Sequence, residues 1–386
     1  MSLNNVPQSC KAFQLERGAQ KGERNQAILR SIEIPKEKEG MVLVQMTAAG
    51  FNRRDEWAMQ GLYPGLTFGD STIGCDGVGK VVRGKMEKDS RLPTHPNDLV
   101  ILVPTRGWQK DPLGPEPALE KTKNGLGGNG FGLLGSTKPT NGVGTFIEYC
   151  QIEKDMVVNV PAHLNSLQAA CLPCGGVTAF RALFTKAKIE KGQSILITGI
   201  GGGVAILALQ FAVARGANVF VTGGTQEKVN RAIELGAKGG VLYREKDWPK
   251  RLAKMVKDEM VERPYLDAVI DSAGGEVPAQ AAIAGLKNGG KIVCYGMTAS
   301  PKMTITMREV LRNVDVMGST MGSAEEFKEM IHFIDQNKIV PVIDTVLDGL
   351  QEAKSGFALL QDADKRSGGK VVIKIAQDTK ERQSRM

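Results

Sequence analysis

Residues 194 to 215 read SILITGIGGGVAILALQFAVAR: a short apolar run, a turn holding Gly199, Gly201, Gly202 and Gly203, and then a helical pattern. A four-residue apolar run bounded by glycine reads as a buried strand, and the same alternation of strand and helix recurs downstream. Strands are expected at 195–198, 218–222, 240–243, 266–271, 291–296 and 314–320. The segment 227–235 between two of them stops at Gly236, as a helix with a glycine terminus does. Six strands joined by helices imply an α/β fold with a doubly wound parallel sheet.

The amino-terminal part reads differently. From residue 10 to about 160 short runs such as 41–46 and 79–82 are separated by Gly and Pro, which describes a β-rich unit. The stretch 104–142, crowded with Gly, Pro, Lys and Asn, is too long for an ordinary connection and is expected to form a lobe or lid. After residue 322 come one more helix (324–335) and a strand (370–375), and that strand could return to the first domain. With 386 residues the chain has room for two cores.

Charge and cysteine usage narrow the function classes. No apolar run reaches membrane-span length and the first residues lack a signal-peptide core, so a cytoplasmic protein is expected. Six irregularly spaced cysteines do not make a disulfide framework. The net charge is +8, and residues 180–260 carry 14 Lys and Arg against 7 Asp and Glu. Such a region suits phosphate on a cofactor, or a polyanion such as RNA, and equally describes solvated helix faces.

A strand, then G-x-x-G-x-x-A (Gly199, Gly202, Ala205), then a helix is the arrangement that lays a dinucleotide pyrophosphate on a helix amino terminus, with Gly203 and Val204 in the first turn. Small residues permit the turn and the close approach of phosphate. At the end of the second strand an NAD site usually places a carboxylate for the ribose hydroxyls, but here Gly223 and Gly224 occupy the corner, with Thr225 and Lys228 just beyond. That composition favours NADP. Glu227 reads as a first-turn acid.

Together these residues resemble the medium-chain dehydrogenase/reductase superfamily, and within it the zinc-free quinone oxidoreductase, or zeta-crystallin-like, branch; zinc-type alcohol dehydrogenase-like proteins are also similar. The carrying stretches are Ala49 to Asp55 with Gly61 to Pro64, Gly74 to Gly79, Leu172 to Ala179, the glycine loop, Thr225 to Lys228, Val241 to Arg244 and Gly369 to Ile373. The resemblance implies a GroES-like β-rich catalytic domain (1–162 and 322–386) around a Rossmann NADP-binding domain (163–321), with the active site in the cleft. It implies that Lys228 and Tyr243 hold a 2′-phosphate, although Tyr243 could instead be a sheet-end aromatic packed under a helix. Pairing of the last Rossmann strand across a two-fold implies a homodimer. Relatives associated with RNA or with structural roles make an RNA-binding protein an alternative.

Zinc-dependent members carry a Cys where this chain has Asn52 and a His where it has Cys75, and Cys174 matches the third ligand. Two thiols and a carboxylate, Cys75, Asp76 and Cys174, are acceptable zinc ligands, so a zinc-dependent alcohol dehydrogenase is an alternative; the expectation is no metal. Cys171 and Cys174 form a C-x-x-C at the domain junction. His95, His163 and His332 lie in unrelated contexts and make no proton relay.

Hydride transfer from NADPH to a quinone or an α,β-unsaturated carbonyl needs orientation and stabilisation of the developing enolate rather than a Lewis acid. Tyr63 and Asn52 are the candidate donors, with Thr178 beside the nicotinamide or its ribose. Tyr63 could also merely close a turn, Asn52 satisfy backbone groups and Thr178 cap the helix 179–184. Ser272 and Gly296, at carboxyl ends of strands, are candidates to hold the nicotinamide amide, and Asp271 could cap the segment after its strand.

Overall fold

The computed structural model describes residues 6–20, 22–85, 98–117, 130–362 and 366–376. The chain divides into two compact units. The first runs to Cys174, past the boundary at 162, and resumes at Gly322; it includes the strand from Lys370. The second comprises Gly175–Met321 with Ser367–Gly369.

In the second unit a six-stranded parallel sheet has the spatial order Gly239–Leu242, Asn218–Gly223, Ser194–Ile197, Leu266–Asp271, Leu286–Cys294, Asp315–Gly318. The order reverses beside Ser194–Ile197, and at such a reversal ligands bind beyond the carboxyl ends of the strands. Ser194–Ile197 is wholly buried because helices cover both faces, which is why it is continuously apolar from Ile195 to Ile197. On the helix Trp248–Glu259 the residues Trp248, Leu252 and Val256 recur every fourth position and pack with Leu196, Phe220 and Val241. The helix Gly203–Arg215 ends at Gly216, whose φ of 83° is the left-handed conformation that glycine adopts without strain.

The first unit is built on a seven-stranded sheet in which Met41–Gly50 lies between Asp76–Arg83 and Lys370–Lys374. The final strand therefore does return, pairing antiparallel with Met41–Gly50. Its core gathers Phe13, Phe51, Phe146 and Phe357, with ring centroids of Phe51 at 4.7 Å from Phe146 and 5.3 Å from Phe357. Aromatic pairs of this kind contribute about 0.5–1.5 kcal/mol beyond their burial. Phe51 thereby anchors the chain immediately before Asn52.

The flanks of the expected lobe are packed: Thr105–Arg106 pairs with Gly132–Leu133, and Trp108 is buried. Its middle, 118–129, and His95 lie outside the described residues. Two local readings are corrected. Thr178 lies inside the helix Pro173–Phe180 rather than capping a later one, because Pro173 starts that helix earlier. Tyr243 falls just beyond the strand Gly239–Leu242 and is exposed, not packed under a helix.

Candidate active site

Strand register gathers one group of residues in the first unit. Gly50 faces Asp76 on one side and Val372 on the other, so the end of one strand meets the beginnings of two others, at Asp76 and Lys370. A side chain at position 50 would stand 2.3 Å from the Ala170 carbonyl and 3.1 Å from Asp76, so only glycine permits this approach. Asn52 comes next but one, at the N-cap of the helix Arg53–Met59, where its backbone N–H donates to Asp55 Oδ2 at 2.8 Å.

The charged members are buried. Lys370 Nζ donates to the Phe51 carbonyl at 2.8 Å, Asn52 Oδ1 at 2.7 Å and Asp76 Oδ2 at 2.8 Å. Asp76 Oδ1 accepts the Cys174 N–H at 2.8 Å. Cys75 accepts from Asn52 Nδ2 at 3.4 Å and donates to Asp76 Oδ1 at 3.6 Å. Burial raises the Cys75 thiol well above its ordinary range, and neighbouring Cys174, Asp76 and Asp55 add to this. Burial also pushes Asp55 up to about 6, against the opposing pull of Arg54.

Arg54 donates to the carbonyls of Leu134 and Gly135 at 2.9 and 2.8 Å, and its guanidinium lies over the Tyr63 ring, 4.3 Å from the centroid. Burial pushes the Tyr63 hydroxyl up to about 12, so Tyr63 is a hydrogen-bond donor at neutral pH. The first unit thus supplies two neutral donors, the Tyr63 O–H and the Asn52 amide. Lys370, Arg54 and Asp55 were not singled out from the sequence. The signals were a lysine opening a strand with three apolar residues after it and a run of three charges, Arg53, Arg54 and Asp55, directly after Asn52.

In the second unit the turn after Ser194–Ile197 is pinned on both sides. Gly199 N–H donates to Thr222 Oγ1 at 3.1 Å and Ile200 N–H to the Thr222 carbonyl at 2.8 Å. Thr198 donates to Asp271 at 2.6 Å, and Asp271 accepts the N–H groups of Ala273 and Gly274, so it does cap the turn after its strand. Gly199 has φ 66°, and Ser272 Oγ lies 2.8 Å from the place of its missing Cβ. Gly296 sits against the Ser272 carbonyl.

Gly202, the N-cap of Gly203–Arg215, has φ −79°, open to any residue, no side chain caps this helix, and a Cβ at Gly202 would meet nothing within 4 Å. The fold does not require a bare position there, whereas a phosphate approaching the N–H groups of Gly203, Val204 and Ala205 does. Lys228 lies along Gly201, its Cδ 3.1 Å from the Cβ position, and the Tyr243 hydroxyl is 2.8 Å from that of Gly224. Thr225 caps its helix by accepting the Lys228 N–H. A nicotinamide dinucleotide fits this donor set: the turn for its pyrophosphate, and the corner of Gly224, Lys228 and Tyr243 for its adenosine end. Thr178 Oγ1 is 3.5 Å from Met321 Sδ in the same unit.

Zinc is another matter. The ligand atoms of Cys75, Asp76 and Cys174 lie within 4.8 Å of one another, and three protein ligands would meet the count for a catalytic zinc. The chemistry of the set does not fit. Asp76 Oδ1 accepts from the Cys174 N–H and the Cys75 thiol, its Oδ2 accepts from Lys370, Asn52 turns its N–H bonds to Cys75, and the Lys370 ammonium already supplies the positive charge. Cys171 instead donates to the Leu167 carbonyl at 3.5 Å within its own turn. His163 bridges to the Ile339 carbonyl at 3.0 Å and faces Asp335 at 3.6 Å, a structural tie within the first unit and not a relay.

Sequence and structure comparisons agree with this architecture. The chain matches the alcohol dehydrogenase GroES-like domain at residues 38–162 and the zinc-binding dehydrogenase family at residues 203–336. It is 43% identical over 344 residues to a zinc-type alcohol dehydrogenase-like protein, YogA, of Leptosphaeria maculans, covering 86% of this chain and 90% of that protein. An alcohol dehydrogenase of Geobacillus stearothermophilus is 25% identical, covering 91% and 96%. Among solved structures an NAD-dependent alcohol dehydrogenase superposes with a TM-score of 0.76 at 25% identity, over 95% of this chain and all of that one. A crotonyl-CoA carboxylase/reductase, AntE, in complex with NADP shares the fold, with a TM-score of 0.77 at 22% identity over 96% of each chain.

The chain belongs to the medium-chain dehydrogenase/reductase superfamily, as an NAD(P)-dependent oxidoreductase with a GroES-like and a Rossmann domain. Of these two relatives one is called a zinc-type alcohol dehydrogenase-like protein and the other an alcohol dehydrogenase; neither is called a quinone oxidoreductase. Among the described residues no helix is long and apolar enough to cross a membrane.

Proposed function

We propose that the protein is an NADPH-dependent reductase of a carbonyl-conjugated double bond or a quinone, working without a metal. The observation that carries the reading is the Asn52, Cys75, Asp76 and Lys370 network, in which an amide stands where zinc-dependent relatives carry a ligand and a buried ammonium holds it. Bound NADPH supplies the hydride. The chain's own part is to bind and orient: the glycine turn holds the pyrophosphate, Lys228 and Tyr243 meet the 2′-phosphate, and Thr178, Ser272 and Gly296 line the nicotinamide end. Tyr63 and Asn52 donate hydrogen bonds to the acceptor oxygen as negative charge grows on it. A preorganised donor of this kind contributes about 10²–10³ in rate.

The second reading is zinc-dependent alcohol oxidation through Cys75, Asp76 and Cys174. The name of the zinc-type alcohol dehydrogenase-like relative and the closeness of those three side chains favour it; the hydrogen bonding within the cluster opposes it.

The cofactor half is tested by fluorescence titration with NADPH and NADH at one salt concentration. Binding of NADPH at least tenfold tighter is expected, about 1.4 kcal/mol. Lys228→Ala should erase most of that preference while leaving NADH unchanged, and a preference for NADH in the wild type would refute it. A homodimer belongs to the same proposal: Asp315–Gly318 is one of the two edge strands of its sheet, and Met307, Val310 and Leu311 beside it are exposed. Light scattering should give twice the 41.5 kDa chain mass; a monomer mass contradicts it.

A further inference from the structure

An ammonium has three donors and no acceptor. All three of Lys370 are spent on the Phe51 carbonyl, Asn52 Oδ1 and Asp76 Oδ2, at 2.7–2.8 Å, and the side chain is 5% exposed. Because Lys370 can only donate, the Asn52 atom facing it is the carboxamide oxygen, which settles the amide orientation. The nitrogen is thereby turned toward Cys75 Sγ, 3.4 Å away. Among the described residues that contact uses one of the two amide hydrogens, and the other remains for an acceptor.

From this arrangement we infer that Lys370 is a positioning residue: a fixed cation that sets Asn52 with its N–H bonds toward the thiol pair, so that the pocket presents a donor where a metal site needs a lone pair. The inference rests on the metal-free reading above and adds to it the residue that enforces it. Asn52 alone could turn its oxygen to a metal or its nitrogen to a substrate oxygen. With Lys370 in place only the second is open.

The test uses the full chain, stripped by a chelator and titrated with Co²⁺, whose thiolate charge-transfer absorption reports coordination by Cys75 and Cys174. No band is expected for the wild type at one equivalent. Asn52→Asp keeps an oxygen on Lys370 and turns a second one toward the thiols, so it should bind Co²⁺ at least a hundredfold more tightly, with the band. A wild type that takes up one equivalent with the thiolate band, or an Asn52→Asp protein no better than wild type, overturns the inference.

The double variant Lys370→Met with Asp76→Asn keeps the pocket neutral and frees the Asn52 amide. Its kcat for a conjugated carbonyl should fall at least tenfold with KM for NADPH unchanged; an unchanged kcat reduces Lys370 to a structural role and also overturns the inference. If the wild type binds no cobalt and yet reduces no conjugated carbonyl, the Lys370 arrangement is supported and the functional reading alone fails.

Discussion

Replacing Gly202 by Asp is expected to weaken NADPH binding at least a hundredfold, about 2.7 kcal/mol, while leaving thermal stability unchanged or slightly raised. The two effects have opposite signs for one reason. Gly202 is the uncapped N-cap of Gly203–Arg215, its φ of −79° suits any residue, and a Cβ there meets nothing within 4 Å. Aspartate is among the best N-caps and its charge opposes the positive end of the helix, so the apo protein loses nothing. The same carboxylate would stand where the pyrophosphate must bind and would take its donors. Titration calorimetry and a melting curve on the same sample check both halves. Retained binding would place the cofactor elsewhere, and a collapsed Tm would show that the fold needs the bare position.

The second large effect is on stability. Lys370→Met is expected to destabilise the protein by about 3–5 kcal/mol, the range for removing one partner of a buried ion pair. Asp76 is fully buried, and its Oδ2 would lose the ammonium 2.8 Å away. The Phe51 carbonyl and Asn52 Oδ1 would lose the same donor. Adding Asp76→Asn removes the stranded charge, and an amide can still accept the Cys174 N–H, so the double variant should recover most of the loss. Urea unfolding of the wild type, both single variants and the double variant measures the coupling. Additive single effects would mean that the two groups do not act as a pair.

Much of the second unit was legible because its signals are local. A buried parallel strand must be continuously apolar, a helix that turns back must stop, and a phosphate turn must be bare, so Ile195, Gly236 and Gly202 each report on their own neighbourhood. Element ends were less legible. Pro173 starts its helix early enough to enclose Thr178, and Tyr243 lies one residue outside its strand. The first unit's site was legible only in part. Asn52, Cys75, Asp76 and Cys174 stood out against the family pattern, but the partner that sets their chemistry comes from the far end of the chain. Nothing near residue 52 or 76 indicates that position 370 will face them; only the pairing of the last strand with Met41–Gly50 brings it there.

The most direct measurement of the central claim is product analysis by mass spectrometry after chelator-treated protein is incubated with NADPH and a simple enone, a quinone and an aldehyde in parallel. The expected result is oxidation of NADPH with the enone reduced at its carbon–carbon double bond, or the quinone to its hydroquinone, at a rate the chelator does not change. Turnover confined to the aldehyde or its alcohol, abolished by the chelator and restored by zinc, would contradict the account and establish zinc-dependent alcohol chemistry.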